Sequence, residues 1–166
     1  MPASAESRPA VLLDRDGTLI FDVGYPRDPD VVELLPGTPA ALSTLRGEGF
    51  ALVVVSNQSG VARGIVSPAE AAGVHARLVE LLAAHGIELD GAYYCFHGPA
   101  DACSCRKPAP GMLLRAADEL GLALDRSVMV GDRPSDVEAG RAAGCRALLH
   151  EGDWDAVLAA VLEPVR

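Results

Sequence analysis

Short apolar runs alternate with longer amphipathic stretches along the chain. Five runs have the length of buried strands: residues 10–13, 51–55, 92–94, 128–130 and 146–149. Runs that are apolar throughout are typical of parallel strands covered by helices on both faces. The pattern therefore predicts an α/β fold with three layers, in which a doubly wound parallel sheet lies between two layers of helices.

The amphipathic stretches between these runs predict helices. Ser67, followed by Pro68 and Glu70, predicts a capping box for a helix over residues 68–85. Ser135 gives a similar signal for a helix that ends near Gly144. Three further helices are expected over residues 38–46, 111–120 and 154–162.

Two segments contain too many glycines and prolines for regular structure. Residues 20–37 are expected to form a loop over the edge of the sheet, and residues 95–110 form a second loop that holds a cysteine cluster. Neither segment is long enough for a cap domain. Because 166 residues match the usual size of one domain, residues 1–166 are predicted to form a single domain.

Net charge and hydropathy argue against two classes of partner, nucleic acids and membranes. Fourteen Lys and Arg residues face 23 Asp and Glu residues, which gives a net charge of −9 and makes nucleic acid an unsuitable partner. Residues 1–9 lack the pattern of a leader, and no apolar stretch is long enough to span a bilayer. We therefore expect a cytoplasmic protein that does not bind membranes.

Acidic residues follow two of the predicted strands. Asp14 and Asp16 lie just after the first strand, and Asp132 and Asp136 lie just after the fourth. Open α/β sheets bind ligands at this edge, and converging carboxylates need a cation such as Mg²⁺ between them. The alternative for Asp14 and Asp16 is an Asx-turn that closes the strand.

Polar and basic residues follow the other strands. Ser56, Asn57 and Gln58 come after the second strand, where a hydroxyl, amides and backbone N–H groups can hold a phosphate, although an ordinary polar turn is the alternative. Lys107 supplies a charge for a phosphate oxygen, unless it is a solvated surface lysine.

Four residues of the second loop have the spacing of a metal site. Three thiols and one imidazole make a closed set of the ligands that zinc prefers: Cys95, His97, Cys103 and Cys105. Such a set leaves no position for substrate, so the predicted zinc is structural. The alternative is a group of unrelated thiols or a redox pair.

These motifs, in this order, resemble the haloacid dehalogenase superfamily of phosphohydrolases, and the resemblance covers nearly the whole chain. It implies a Rossmann-like sheet without a cap domain, in which strands one and four are neighbours. It also implies that Asp14 is the nucleophile and that Asp16 first protonates the leaving oxygen and then activates water. The other implied roles are phosphate contacts from Ser56 and Lys107, Mg²⁺ ligands from Asp14, Asp132 and the backbone carbonyl of Asp16, and support from Asp136 outside the ion's direct ligands.

Within that superfamily the chain resembles the capless branch with a zinc loop. Its second-strand loop is similar to that of heptose 1,7-bisphosphate phosphatases, whereas its short zinc loop and Arg133 are closer to histidinol-phosphate phosphatases. We give the second-strand loop more weight because it faces substrate. The expected substrate is then a small phosphorylated sugar, bound by Gly24, Tyr25, Asn57, Gln58, Arg63, Arg106 and Arg133.

Two other interpretations stay open from the sequence. Receiver-type signalling modules also place an acidic pocket and a lysine on a parallel sheet, although the Asp16-Gly17-Thr18 motif and the zinc loop have no place in them. A zinc-binding structural protein would not need the full acidic set. No assembly element is evident, so a monomer is expected.

Overall fold

The computed structural model describes residues 6–164, which contain five strands. Their bounds are β1 Ala10–Leu13, β2 Ala51–Asn57, β3 Gly91–Cys95, β4 Val128–Gly131 and β5 Arg146–Leu149. They form one parallel sheet in the order β3-β2-β1-β4-β5. Two parts of the chain lie outside the described residues. They are residues 1–5, in the segment tested for a leader, and residues 165–166, at the end of the predicted domain.

Residues 6–164 contain five α-helices, of which the first four connect the strands and the fifth follows β5. They are α1 Thr38–Gly47, α2 Pro68–Ala83, α3 Gly111–Leu120, α4 Pro134–Ala142 and α5 Trp154–Leu162. Short 3₁₀ turns lie at Pro29–Val31 and Leu124–Arg126. Within residues 6–164, no helix combines the length and the apolar character that crossing a bilayer requires.

The side chains of β1 show why the sheet lies between two layers of helices. Val11 and Leu13 pack into a core with the buried faces of α1, α2 and α5, whereas Leu12 packs on the other face against α3 and α4. Successive residues of a strand point to opposite faces, so a strand that is apolar at every position requires both layers. The predicted three-layer architecture is confirmed.

The strand order brings the candidate catalytic residues to one edge of the sheet. Strand β1 pairs with β2 on one side and with β4 on the other, and Leu13 aligns with both Val54 and Val130. The chain therefore winds outward through β2 and β3 and returns beside β1 as β4. The carboxyl ends of β1 and β4 meet at this switch point, where open α/β sheets bind their ligands.

The structure corrects the predicted start of α4 and the predicted end of α2. The N-cap of α4 is Arg133 instead of Ser135: its backbone N–H donates to Asp136 Oδ2 at 3.0 Å. Pro134 occupies the first helical position, which its fixed φ favours. The end of α2 is Ala83, because the N–H of His85 bonds the carbonyl of Leu82 in a tighter final turn.

Most other bounds agree with the sequence to within two residues. The capping box at the start of α2 is present: Ser67 Oγ accepts from the N–H of Glu70 at 3.1 Å, and Glu70 Oε2 accepts from the N–H of Ser67 at 2.8 Å. Strand β2 continues two residues further than predicted, to Asn57. This extension carries Ser56 and Asn57 on the strand itself, so their directions are set by the sheet.

Candidate active site

A cleft of about 460 Å³ opens at the carboxyl ends of β1, β2 and β4. Ten of its lining residues belong to the predicted site: Asp14, Asp16, Gly24, Tyr25, Asn57, Gln58, Arg106, Lys107, Arg133 and Asp136. Asp22, Ser59, Pro108 and Ser135 also line it. The sheet therefore brings together residues that are up to 122 positions apart in the chain.

Three carboxylates crowd together beside this cleft, and Asp14 and Asp136 among them line it. Asp14, Asp132 and Asp136 each offer an oxygen within 4.8 Å of the others. A Cβ on Gly17, whose φ is +79°, would lie 2.2 Å from Asp132 Oδ2, so this close approach requires glycine. Burial and the charge of Asp14 raise the pKa of Asp132 to about 6.

The donor set fits a divalent cation. Asp132 Oδ1 is buried and has no hydrogen-bond partner among residues 6–164, which is costly unless a positive group accompanies it. Hard oxygen donors at this density suit Mg²⁺. The predicted Mg²⁺ site at Asp14 and Asp132 is consistent with this geometry.

Lys107 supplies the positive charge that the three carboxylates face. Its side chain is 2% exposed, and its Nζ lies 3.1 Å from Asp14 Oδ1 and 2.6 Å from Asp136 Oδ1. It also donates to the carbonyl of Val55 at 2.7 Å. The two carboxylates raise the pKa of Lys107 although burial opposes this, so the amine is held as a cation. The alternative of a solvated surface lysine is wrong.

Asn57 holds Lys107 from the neighbouring strand. Its Oδ1 accepts from the backbone N–H of Lys107, and its Nδ2 donates to the backbone carbonyl of Lys107, each at 3.0 Å. Both ends of the amide are therefore occupied by one backbone segment 50 residues away. Asn57 therefore positions Lys107; it also lines the cleft, and its substrate contact stays a prediction.

Asp16 lies beside the acid cluster but has different partners. Gln58 Nε2 donates to Asp16 Oδ2 at 2.7 Å, and Arg15 lies 3.3 and 3.2 Å from Asp16 Oδ1 and Oδ2. Burial raises the pKa of Asp16, whereas Arg15 and Gln58 oppose that shift. A carboxyl that can carry a proton and is also held in place suits a general acid and base.

Ser56 and Gln58 are linked to each other. Gln58 Nε2 also lies 2.9 Å from Ser56 Oγ, and Ser56 is 1% exposed. Ser56 is not among the residues that line the cleft, and its phosphate contact stays a prediction. The amide of Gln58 donates to Asp16 and Ser56, and its substrate contact also stays a prediction.

The loop over residues 20–37 forms one wall of the cleft. It contributes Gly24, Tyr25 and Asp22, and Asp22 Oδ2 lies 3.4 Å from the guanidinium of Arg133 on the opposite side. Arg106 lines the cleft beside Lys107. Arg63 is exposed in the turn after β2 and lies outside the lining residues, so the structure does not bring it to the cleft.

The cysteine loop forms the predicted four-ligand cluster. One donor atom from each of its residues lies within 4.8 Å of the others: Cys95, His97, Cys103 and Cys105. Neighbouring donor atoms are 3.1 to 3.7 Å apart, near the roughly 3.8 Å between sulfurs around a tetrahedral zinc with Zn–S bonds of about 2.3 Å. The set therefore fits zinc and fixes the loop just before Arg106 and Lys107.

Two residues of the site were missed from the sequence. Arg15 is buried between the acidic residues of the first motif, and Asp22 faces the cleft from a loop. An arginine between two acidic residues directly after a buried strand is a signal that could have been used, because it can pair with a neighbouring carboxylate. Nothing in the sequence singles out Asp22.

Comparisons with known proteins identify relatives that match most of the chain. A family model described as HAD-hydrolase-like matches residues 104–153. D-glycero-beta-D-manno-heptose-1,7-bisphosphate 7-phosphatase of Escherichia coli (strain K12) is 43% identical over 157 residues, which cover 89% of this chain and 82% of that enzyme. The enzyme of the same name from Yersinia pestis is 41% identical over 156 residues, which cover 89% and 83%.

A solved structure of a heptose bisphosphate phosphatase is also similar to this chain. The D,D-heptose 1,7-bisphosphate phosphatase from B. bronchiseptica, complexed with magnesium and phosphate, aligns with a TM-score of 0.85 and 32% sequence identity. The alignment covers 93% of this chain and 98% of that one. The likeness thus extends over the sheet, the loops and the cleft.

Proposed function

The chain belongs to the haloacid dehalogenase-like hydrolases, in the branch of the heptose bisphosphate phosphatases, and from this premise we propose that it is a Mg²⁺-dependent phosphatase of a small sugar phosphate. The proposed reaction removes the 7-phosphate of D-glycero-D-manno-heptose 1,7-bisphosphate. One observation carries the chemistry: Asp14, Asp132 and Lys107 meet at the switch point of the sheet.

In the proposed mechanism Asp14 attacks phosphorus and becomes an aspartyl phosphate. The leaving oxygen of the sugar takes the proton of Asp16. Asp16, now a carboxylate, then takes a proton from the water that attacks the aspartyl phosphate, which releases phosphate and restores Asp14. This path divides one difficult hydrolysis into two easier displacements.

The surroundings of Asp14 supply the charge that phosphoryl transfer needs. Lys107 Nζ, 3.1 Å from Asp14 Oδ1, neutralises the phosphoryl oxygens, and Asn57 keeps the backbone of Lys107 in place. Mg²⁺, held by Asp14, Asp132 and the backbone carbonyl of Asp16, would neutralise the same oxygens and align the phosphate. Asp136 acts through Lys107, which it contacts at 2.6 Å.

Two cationic side chains suit a second phosphate. Arg106 and Arg133 both line the cleft, and guanidinium groups bind phosphate through two parallel hydrogen bonds. A substrate with one phosphate at Asp14 and another at these arginines matches a sugar bisphosphate. Gly24 and Tyr25, on the loop that forms the cleft wall, are proposed to contact the sugar. Arg63 has no part in this proposal.

The remaining assignments are proposals about the whole molecule. We propose that residues 1–166 act as one phosphatase domain and as a monomer, with the cysteine cluster holding a structural zinc. The protein is proposed to work in the cytoplasm, because the thiols of the cluster must stay reduced to bind zinc.

Phosphorus NMR of the reaction tests the position of hydrolysis. With heptose 1,7-bisphosphate as substrate, the signal of the 7-phosphate should be replaced by inorganic phosphate while the 1-phosphate signal stays. Loss of the 1-phosphate instead, or no reaction with Mg²⁺ present, would contradict the proposal. Asp132→Asn serves as the control, because it removes a proposed Mg²⁺ ligand that is not the nucleophile.

A further inference from the structure

Arg15 lies in an unusual position between the two catalytic aspartates. Its side chain is 2% exposed, and its guanidinium lies within 3.3 Å of both carboxylate oxygens of Asp16. On its other side the guanidinium carbon lies 5.5 Å from the centre of the Tyr94 ring. Tyr94 is itself held by a 2.7 Å hydrogen bond between its hydroxyl and His75 Nδ1.

This position is costly for a charged side chain. A buried guanidinium needs partners for its donors, but Arg15 Nε is buried and has none among the described residues. Among residues 6–164, the ion-pair partner of Arg15 is Asp16. The ring of Tyr94 offers it a cation–π contact. Arg15 also lines an apolar cavity of about 320 Å³, together with Val61, Ala72 and Phe96 among others.

Burial of both side chains strengthens the interaction between Arg15 and Asp16. Little water is available to screen the pair, since the carboxylate side is 15% exposed and the guanidinium side 2%. Gln58 fixes the same carboxylate from a third direction, at 2.7 Å from Oδ2. Asp16 is therefore held at one orientation relative to the cleft, with a fixed positive charge behind it.

We propose that Arg15, together with Gln58, is a positioning residue that orients Asp16 toward the leaving oxygen and neutralises the charge that Asp16 acquires. This inference rests on the proposed function. As the bond from Asp14 to phosphorus forms and the bond from phosphorus to the leaving oxygen breaks, the proton of Asp16 passes to that oxygen. Asp16 becomes a carboxylate at that moment, and Arg15 is already in place to stabilise it.

The basicity of the leaving group tests this role. p-Nitrophenolate departs without a proton, whereas phenolate, whose conjugate acid has a pKa of about 10 like a tyrosine side chain, gains from one. The two esters have nearly the same shape. The quantity to measure is kcat/KM for each, because it reports the steps up to departure of the leaving group and excludes the later hydrolysis of the aspartyl phosphate.

Arg15→Met should lower kcat/KM for phenyl phosphate about tenfold more than for p-nitrophenyl phosphate. This difference is smaller than the roughly 10²–10⁴-fold that proton transfer contributes as a whole, because Arg15→Met leaves the acid itself in place. Asp16→Asn removes the acid itself, so its effect on the ratio of the two kcat/KM values is the full effect of losing proton transfer. Arg15→Lys keeps the positive charge but replaces the planar guanidinium by a compact ammonium, so its change should be smaller. Because each ratio comes from one preparation, it does not depend on the fraction of protein that folds.

Arg115 offers a matched control. Its guanidinium also lies 5.5 Å from a tyrosine ring, that of Tyr93, and its Nε contacts Glu119 at 2.7 Å, but this group is on the surface. Arg115→Met should leave the ratio of the two esters unchanged. If Arg15→Met lowers kcat/KM for both esters equally, Arg15 has a structural role alone and the inference is wrong. The heptose substrate is not used here, so a wrong substrate assignment would appear separately, as absent turnover of the sugar.

Discussion

Replacement of Asn57 by alanine removes the side chain that ties strand β2 to the backbone of Lys107. In the variant, the N–H and the carbonyl of Lys107 lose partners that lie at 3.0 Å. Leaving a buried polar group unpaired costs about 1–3 kcal/mol, so two partly buried groups should cost about 2–4 kcal/mol of unfolding free energy. For a chain of this size each kcal/mol lowers Tm by about 2–4 °C, so we expect a decrease of roughly 5–15 °C.

The same substitution should also lower activity. Lys107 Nζ contacts two carboxylates and one carbonyl over 2.6–3.1 Å, and these distances depend on the position of its backbone. Loss of one preorganised charged donor costs about 10²–10³-fold in kcat, and displacement of that donor should cost less, about 10- to 100-fold. Thermal unfolding and phosphate release, measured on the same preparation, give both numbers.

Thr44→Ala is the control for this experiment. Thr44 Oγ1 donates a single exposed hydrogen bond to the carbonyl of Ala40 on α1, away from the cleft. This variant should lose at most a few degrees of Tm and no activity. If Asn57→Ala keeps both the Tm and the kcat/KM of the unmodified protein, the two hydrogen bonds do not position Lys107 and the reasoning is refuted.

Four further results are expected. Asp14→Asn should abolish phosphate release without lowering Tm, since it removes the nucleophile and relieves carboxylate crowding; substantial residual turnover would contradict the mechanism. Mg²⁺ should raise Tm above pH 6 and lose this effect below it, because burial and Asp14 raise the pKa of Asp132 to about 6 and protons compete with the ion; an effect that does not vary with pH would speak against the site. Chelation of zinc should lower Tm and activity together, and unchanged unfolding would exclude a structural ion at the cysteine loop. Arg106→Ala should raise KM for a bisphosphate more than for a monophosphate, whereas exposed Arg63→Ala should change neither; equal effects of Arg106→Ala on both substrates would remove its phosphate role.

The sheet was predictable because its strands are apolar at every position. A run such as residues 51–55 is compatible with few environments other than the centre of a covered parallel sheet, so its position followed from the pattern. Polar motifs follow β1, β2 and β4 and marked the ends of these strands to within two residues. That β1 and β4 are neighbours, and that Asp14 and Asp132 therefore meet, was implied by the family resemblance and not by the pattern.

Contacts between distant side chains were not predictable in this way. The amide of Asn57 could have bound substrate or protein, and its two bonds to Lys107 depend on how a loop 50 residues away folds back. Gln58 likewise turned toward Asp16 and Ser56. The start of α4 was missed for a local reason: Ser135 and Asp136 are both good capping residues, and the preference of Pro134 for the first helical position decides between them.

The central claim is the substrate, and it is tested most directly by comparing kcat/KM for phosphate release from D-glycero-D-manno-heptose 1,7-bisphosphate and from histidinol phosphate. Both reactions should be measured with Mg²⁺ present and zinc intact, since the ratio then reports discrimination between the two transition states. The account predicts a large preference for the heptose bisphosphate, because Arg106 lines the cleft where a second phosphate would lie. A preference for histidinol phosphate would contradict it and would mean that the short cysteine loop determines the substrate.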